Sequence, residues 1–231
     1  MTKKAFNVAL LERRKFVLHL AASGTLGAAG LTGFMSRALA KGDFPAIPGV
    51  NRLEGRATVN GREAKIGTPV GPKDRVSTGP SSQAVIVIQD DAFLLRSNTT
   101  LEFAETRGAL SRILIEAGSV LSVFGKKPVQ IRARKATIGI RGTGAYLEVL
   151  PDEVYFCLCY GEADLDGPGM PTKNIATRHH EQPLLIRDGA AAMRAEPGPF
   201  RNHSDAELTL LESLVGREPP FQGLAPYPAV R

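Results

Sequence analysis

The chain has two cysteines, Cys157 and Cys159, separated by one residue in Tyr155-Phe156-Cys157-Leu158-Cys159-Tyr160. On a β-strand, residues i and i+2 point to the same side, so both sulfurs share a face with Tyr155. Three histidines lie downstream: the pair His179-His180, and His203. Two thiolates on one face joined by one or two imidazoles would suit Zn²⁺, Cu⁺ or haem iron. The candidate ligands are therefore Cys157, Cys159, His179, His180 and His203. The spacing is not C-x-x-C-H, so covalent c-type haem is not expected.

Besides buried, reduced thiols with a purely structural role, two other chemistries stay open for the pair. In a regular strand their Cα atoms would stand about 6.6 Å apart. That is near the upper limit for a disulfide, and the side chains run parallel, so a bond between them would be strained and labile. A thiol-dependent enzyme would need a histidine base, an orienting group and an oxyanion donor. The sequence nominates neither of the last two. We expect a non-enzymatic protein, with the thiol enzyme as the most distant alternative.

The elements that must position these residues are strands. After a linker at 41–49, short apolar runs recur between turn residues every 8–12 positions, as in an all-β domain. Asn60-Gly61 is a strong hairpin signal, and Ala84-Val85-Ile86-Val87-Ile88 is a β-branched run. The stretch 135–161 reads as two strands joined by an acidic turn, the second carrying both cysteines. Arg132 and Arg134 are expected on one strand face, and Arg141 is expected to satisfy backbone carbonyls or a carboxylate. Residues 166–182 read as a Gly/Pro-rich loop, followed by a short hairpin whose strands are 184–186 and 190–194, turning at Asp188-Gly189. Ser204-Asp205-Ala206-Glu207 is a capping-box pattern, and Leu208, Leu211 and Val215 continue it as the apolar stripe of a helix that stops at Gly216. A helix this short needs a surface to pack on, so it is expected to lie on the β stack as a lid.

The amino-terminal forty residues look like an export signal. Arg13-Arg14 form a twin-arginine pattern, an apolar Gly/Ala-rich stretch follows, and Ala38-Leu39-Ala40 supplies a small-residue cleavage site. We expect a periplasmic, Tat-exported protein, attached to the membrane only if the leader stays uncleaved. Tat substrates cross already folded, which lets a cofactor load while thiols are reduced. The formal net charge is +6, but residues 1–40 hold six basic residues and one acidic, leaving 23 basic against 22 acidic. The basic balance belongs to the leader and gives no support for nucleic-acid binding.

A family resemblance rests on blocks in order: Val59-Asn60-Gly61; Asp74-Arg75-Val76-Ser77-Thr78-Gly79; Ser82-Gln83-Ala84-Val85-Ile86 closing at Asp90; Leu95-Arg96-Ser97-Asn98-Thr99-Thr100-Leu101; Gly118-Ser119-Val120; and Ala136-Thr137-Ile138-Gly139-Ile140-Arg141-Gly142-Thr143. Over about residues 50–165 the chain resembles a FecR-like domain. The resemblance implies a twisted, solenoid-like β stack used for binding or sensing, with a protein or an envelope ligand as partner. The best-known members are transmembrane regulators with a cytoplasmic domain ahead of the span. Here 15 residues precede the apolar stretch, so we expect a free periplasmic module without the anti-sigma and membrane-span architecture.

The expected organisation is thus an export signal (1–40), a linker (41–49), a FecR-like β domain (50–165), a loop plus short hairpin (166–200), a carboxy-terminal helix (201–216) and a proline-rich tail (217–231). The expected fold is mainly β, a twisted solenoid-like or sandwich-like stack with one short carboxy-terminal α-helix. The first function expected is a non-catalytic binding or sensing module. The alternative is a metal- or haem-binding protein using the Cys-x-Cys and His-His residues. Ligand identity, partner and oligomeric state are not written in the sequence.

Overall fold

The computed structural model describes residues 48–224; the leader, most of the linker and the end of the tail lie outside them. Fifteen strands and one helix follow in order. They are β1 (Gly49–Glu54), β2 (Ala57–Val59), β3 (Arg62–Glu63), β4 (Arg75–Thr78), β5 (Gln83–Ile88), β6 (Asp91–Leu95), β7 (Thr100–Thr106), β8 (Ala109–Val123), β9 (Pro128–Ala133), β10 (Ala136–Arg141), β11 (Gly144–Val149), β12 (Glu153–Gly167), β13 (Met170–Thr177), β14 (Leu184–Arg187), β15 (Arg194–Pro197) and α1 (Asp205–Leu214). The mainly β reading with one short helix holds. Among the described residues, no helix is long and apolar enough to cross a membrane.

The architecture is a closed five-strand barrel with outer strands, built from two sheets that share strands. One sheet runs β1-β5-β6-β8-β11-β12-β14-β15, all antiparallel. We call it sheet A. The other, sheet B, runs β3-β2-β4-β7-β8-β9-β10-β12-β13, with β8 and β9 parallel and the rest antiparallel. The two 15-residue strands belong to both sheets. β8 leaves sheet B and enters sheet A at Gly118, and β12 makes the reverse passage at Gly161. Both glycines have positive φ, +87° and +97°, a backbone conformation that only glycine adopts without strain. A Cβ on Gly161 would lie 2.6 Å from Thr143 Cγ2, so the bend also needs the missing side chain. Sharing β8 and β12 closes a ring β8-β9-β10-β12-β11, which removes the sheet edges at the centre of the molecule.

Alternation then decides what each face buries. Ile86, Phe93, Leu95, Val120, Leu147, Phe156, Leu158, Ile138 and Ile131 fill the space between the sheets. On sheet A the intervening residues Leu94, Leu121, Tyr146, Tyr155, Cys157 and Cys159 are buried too, yet they lie outside that interior cluster. Sheet A therefore has a second apolar face, and α1 packs over β6 and β8 there. The helix buries Leu208, Leu210, Leu211 and Leu214. Its capping box is formed: the Ser204 hydroxyl accepts from Glu207 N–H, and the Glu207 carboxylate accepts from Ser204 N–H.

Several expectations are corrected. Residues 166–182 are not one loop, because β12 continues to Gly167 and pairs with β13. The strand expected at 190–194 lies later, as β15, and residues 188–193 form the connection. Arg134 and Lys135 sit in the β9–β10 turn rather than on a strand; Arg134 has φ +52° and donates to the Pro151 carbonyl, while Lys135 pairs with Asp188 at 3.1 Å. Arg141 ends β10 exposed, without a hydrogen-bond partner among the described residues. Within the proline-rich tail, residues 219–224 turn: Gln222 N–H donates to Pro219 O and Leu224 N–H to Phe221 O, and the Phe221 ring is buried.

Candidate metal centre

Cys157 and Cys159 lie on the outer face of sheet A, under the carboxy-terminal segment. Cys157 is paired with Tyr146 of β11. Between Leu158↔Ala145 and Tyr160↔Gly144 the ladder advances two residues on β12 but one on β11, leaving Cys159 as the extra residue of a β-bulge. A bulge bends the strand and re-aims its side chains. That is how Cys159 and Tyr160 both avoid the interior cluster, although regular alternation would send them to opposite faces. The bulge removes the ideal-strand geometry on which the about 6.6 Å estimate rested. Both cysteines are free thiols.

His180 comes to them from the turn after β13. Glu181 organises that turn by accepting from Arg178 N–H at 2.6 Å and from His179 N–H at 3.3 Å. His180 takes the left-handed conformation, φ +59°, and its N–H donates to the Cys159 carbonyl at 3.0 Å. His203 arrives from the other side, immediately before the helix N-cap. Its ring stacks on Tyr146, centroids 4.5 Å apart, and Phe200 packs against both His203 and His180.

These placements bring four of the five expected ligands together. Cys157, Cys159, His180 and His203 are all buried and present ligand atoms within 4.8 Å of one another. Cys157 Sγ is 3.6 Å from His180 Nδ1, and His180 Nδ1 is 3.2 Å from His203 Nε2. A tetrahedral zinc site with Zn–S about 2.3 Å and Zn–N about 2.05 Å has S···N edges of about 3.6 Å and N···N edges of about 3.3 Å. His179 does not join this group. It lies instead against Asp205, the carboxylate that also meets His180, with Nε2 at 2.9 Å and Phe221 stacked on its ring.

The next layer of contacts assigns the ring nitrogens. His203 Nδ1 lies 2.7 Å from the Arg201 carbonyl, which can only accept, so Nδ1 carries the hydrogen. His180 Nε2 lies 3.0 Å from Asp205 Oδ1, so its hydrogen is there. Asp205 is the first residue of α1, a sequence signal that stayed hidden because it reads as ordinary first-turn helix chemistry. In their neutral forms the two imidazoles therefore aim lone pairs at each other across 3.2 Å, beside a sulfur. A cation between them, a proton on one ring or a metal ion, satisfies both.

The protonation pattern agrees. The Cys157 thiol is pulled down, first by the hydrogen bond from Cys159 and then by His180 and His203, while burial pushes Cys159 up. Burial alone would lower the His180 imidazole, but hydrogen bonds with Asp205 and Cys157 outweigh it and its pKa is raised. Cys157 and His180 thus each shift toward the charged form beside the other, while Cys159 shifts toward the neutral thiol.

Cys157, His180 and Asp205 also follow the order nucleophile, base, orienting carboxylate. That relay would need an open side for substrate. Cys157 and His180 are 0% exposed, and His203 stands 3.2 Å from the His180 nitrogen that faces Cys157. The geometry suits a closed site with four protein ligands.

No family model matches the chain, and no match was found among curated proteins. Two crystal structures of a "putative anti-sigma factor" from Parabacteroides distasonis ATCC 8503 are similar to it, each with a TM-score of 0.45, at 11% and 10% identity. Each similarity covers 53% of this chain, which spans 59% of the neighbour's chain.

Proposed function

We propose that the protein is a non-catalytic periplasmic binding and sensing module whose functional centre is a transition-metal site, Zn²⁺ first. Cys157, Cys159, His180 and His203 are the four ligands, and Asp205 and the Arg201 carbonyl orient the two histidines. The observation that carries this reading is the 3.2 Å approach of His180 Nδ1 to His203 Nε2 with their other nitrogens already used. A set of two thiolates and two imidazoles, buried and with four protein ligands, is the donor chemistry of a structural zinc site rather than of a catalytic one, which keeps a position for water. Cu⁺ shares the preference for soft sulfur ligands. The twin-arginine leader supports export of a chain already folded around its metal, and the FecR-like blocks support use of the β scaffold for binding.

The test is metal analysis and titration of the full chain. The protein, purified without a metal-affinity column, should contain close to one Zn²⁺ or Cu⁺ per chain. After removal, Co²⁺ should restore the site with the absorption of a tetrahedral thiolate complex. Absence of both, with the fold intact, would overturn the proposal.

A further inference from the structure

We infer that the metal centre is a clasp: its occupancy sets whether residues 199–224 stay seated on the outer face of sheet A. This deepens the metal-site proposal and rests on it.

The ligands come from both sides of one boundary. Cys157 and Cys159 belong to β12, within the scaffold. His203 belongs to the carboxy-terminal segment, and Asp205, which holds His180, is the first residue of α1. A bound cation would therefore join the scaffold to the segment at the point where the helix begins.

The face beneath is one that the interior between the sheets does not protect. Leu94, Leu121, Tyr146 and Tyr155 are each at most 1% exposed, yet they stand outside the interior cluster. Their cover is the segment itself, through α1 on β6 and β8 and His203 on Tyr146. A ten-residue helix is too short to persist in water on its own, so it is either seated or unfolded.

Removing the cation leaves two thiols and two imidazoles packed together away from water. The lost link is the one that joins β12 to residue 203, and a cation that binds only the seated form stabilises seating by mass action, so its loss shifts the balance toward lifting of the 199–205 stretch. Further links hold the segment elsewhere: Arg96 to Glu207 at 2.9 Å, Arg201 to Glu148 at 2.9 Å, Tyr160 to Glu212, and Arg217 to the Asp90 carbonyl at 2.7 Å. Arg201 and Asn202 also tie the stretch before the helix to the scaffold, through Glu148 and through Arg96 on the Asn202 carbonyl. The metal adds His203 to this set of partial holds, and the readout of metal occupancy is exposure of the tyrosine-lined part of sheet A.

Hydrogen exchange of the full chain, with bound Zn²⁺ and after its removal by a chelator, tests this. Amides of 199–214 should exchange faster by about tenfold or more in the metal-free protein, the size of an ordinary coupling between two sites, while β5 and β6 keep their protection. Zn²⁺ binding with unchanged exchange of 199–214 would overturn the clasp and leave the metal site standing. No Zn²⁺ binding at all would overturn both. Leu211→Ala gives a second route, because it touches no ligand and loosens the helix. Apparent affinity scales with the fraction of metal-free chains already seated, so Zn²⁺ should bind this variant more weakly by the factor through which that fraction falls. Unchanged affinity in a variant whose metal-free helix is mostly unseated would also overturn the clasp.

Discussion

His180 and His203 point Nδ1 and Nε2 at each other across 3.2 Å, and each ring has its remaining nitrogen tied, to Asp205 and to the Arg201 carbonyl. Two neutral imidazoles do not hold that pose by themselves. The prediction is that His203→Ala and Cys157→Ser each weaken Zn²⁺ binding by well over the 10–100-fold typical of a change behind the ligands. Cys157→Ser should still give a folded β domain, because the interior cluster between the sheets does not include Cys157. Competition titration with a chromophoric chelator, paired with far-UV circular dichroism, measures both. A serine variant that keeps full affinity would remove Cys157 from the ligand set.

Asp205 acts through His180. Asp205→Asn keeps the size of the side chain but replaces a carboxylate acceptor by a neutral amide, and should cost about 10–100-fold in Zn²⁺ affinity. Asp205→Glu should recover part of it. The pH dependence distinguishes positioning from a general structural effect. Asp205 raises the His180 pKa, so protons compete with metal from a higher pH in the wild type. The pH below which Zn²⁺ affinity begins to fall should therefore move lower in Asp205→Asn, even though the affinity above it is weaker. A variant that loses affinity equally at every pH, with that break unshifted, would mark Asp205 as a packing residue only.

The same shift has a stability consequence with a fixed sign. In the metal-free protein a His180 pKa raised above its unfolded value stabilises the fold fully below the unfolded value, and that contribution is lost as pH rises through the folded one. In the metal-bound protein the ligand nitrogen must be deprotonated, so the trend reverses. The difference in Tm between Zn²⁺-loaded and chelated protein should therefore shrink on acidification through the His180 titration. Thermal melts from pH 8 to pH 5 check this, and a gap independent of pH would place the stabilising metal elsewhere.

Legibility in the sequence followed the kind of physics involved. Hairpin chemistry was readable: Asn60-Gly61 closes β2–β3 with both residues at positive φ. The helix was readable from its capping box. The closed barrel was not, because it turns on Gly118 and Gly161, which resemble every other turn glycine until the long strands they bend are seen pairing in both sheets. At the site, period 2 put Cys157 and Cys159 on the face of Tyr155. The same rule could not foresee the bulge at Cys159, and residue type alone could not separate His179 from His180. Only the turn capped by Glu181 brings the His180 ring to Cys157 while the His179 ring stops at Asp205.

Gly161 offers a test of the fold that is independent of the metal. Gly161→Ala imposes a left-handed conformation on an L residue and sets its Cβ 2.6 Å from Thr143. The strain alone is of order 1–3 kcal/mol, and the contact adds to it. Because Gly161 follows the bulge at Cys159 by two residues, the variant should lose stability in urea and also bind Zn²⁺ more weakly. Wild-type stability would mean that β12 can pass between the sheets without this bend.

The remaining prediction concerns the leader, outside the described residues. Arg13→Lys together with Arg14→Lys removes the twin-arginine pair while keeping the charge, so a Sec-type signal would be little affected and a Tat-type signal disabled. Cell fractionation should find the double variant retained in the cytoplasm as uncleaved precursor. The retained chain adds a second measurement. If the metal is bound before export, while the thiols are reduced, precursor isolated from the cytoplasm should carry the same metal as the exported protein. Normal periplasmic accumulation of the double variant would refute Tat dependence, and a metal-free, folded precursor beside a loaded periplasmic protein would show that loading follows export.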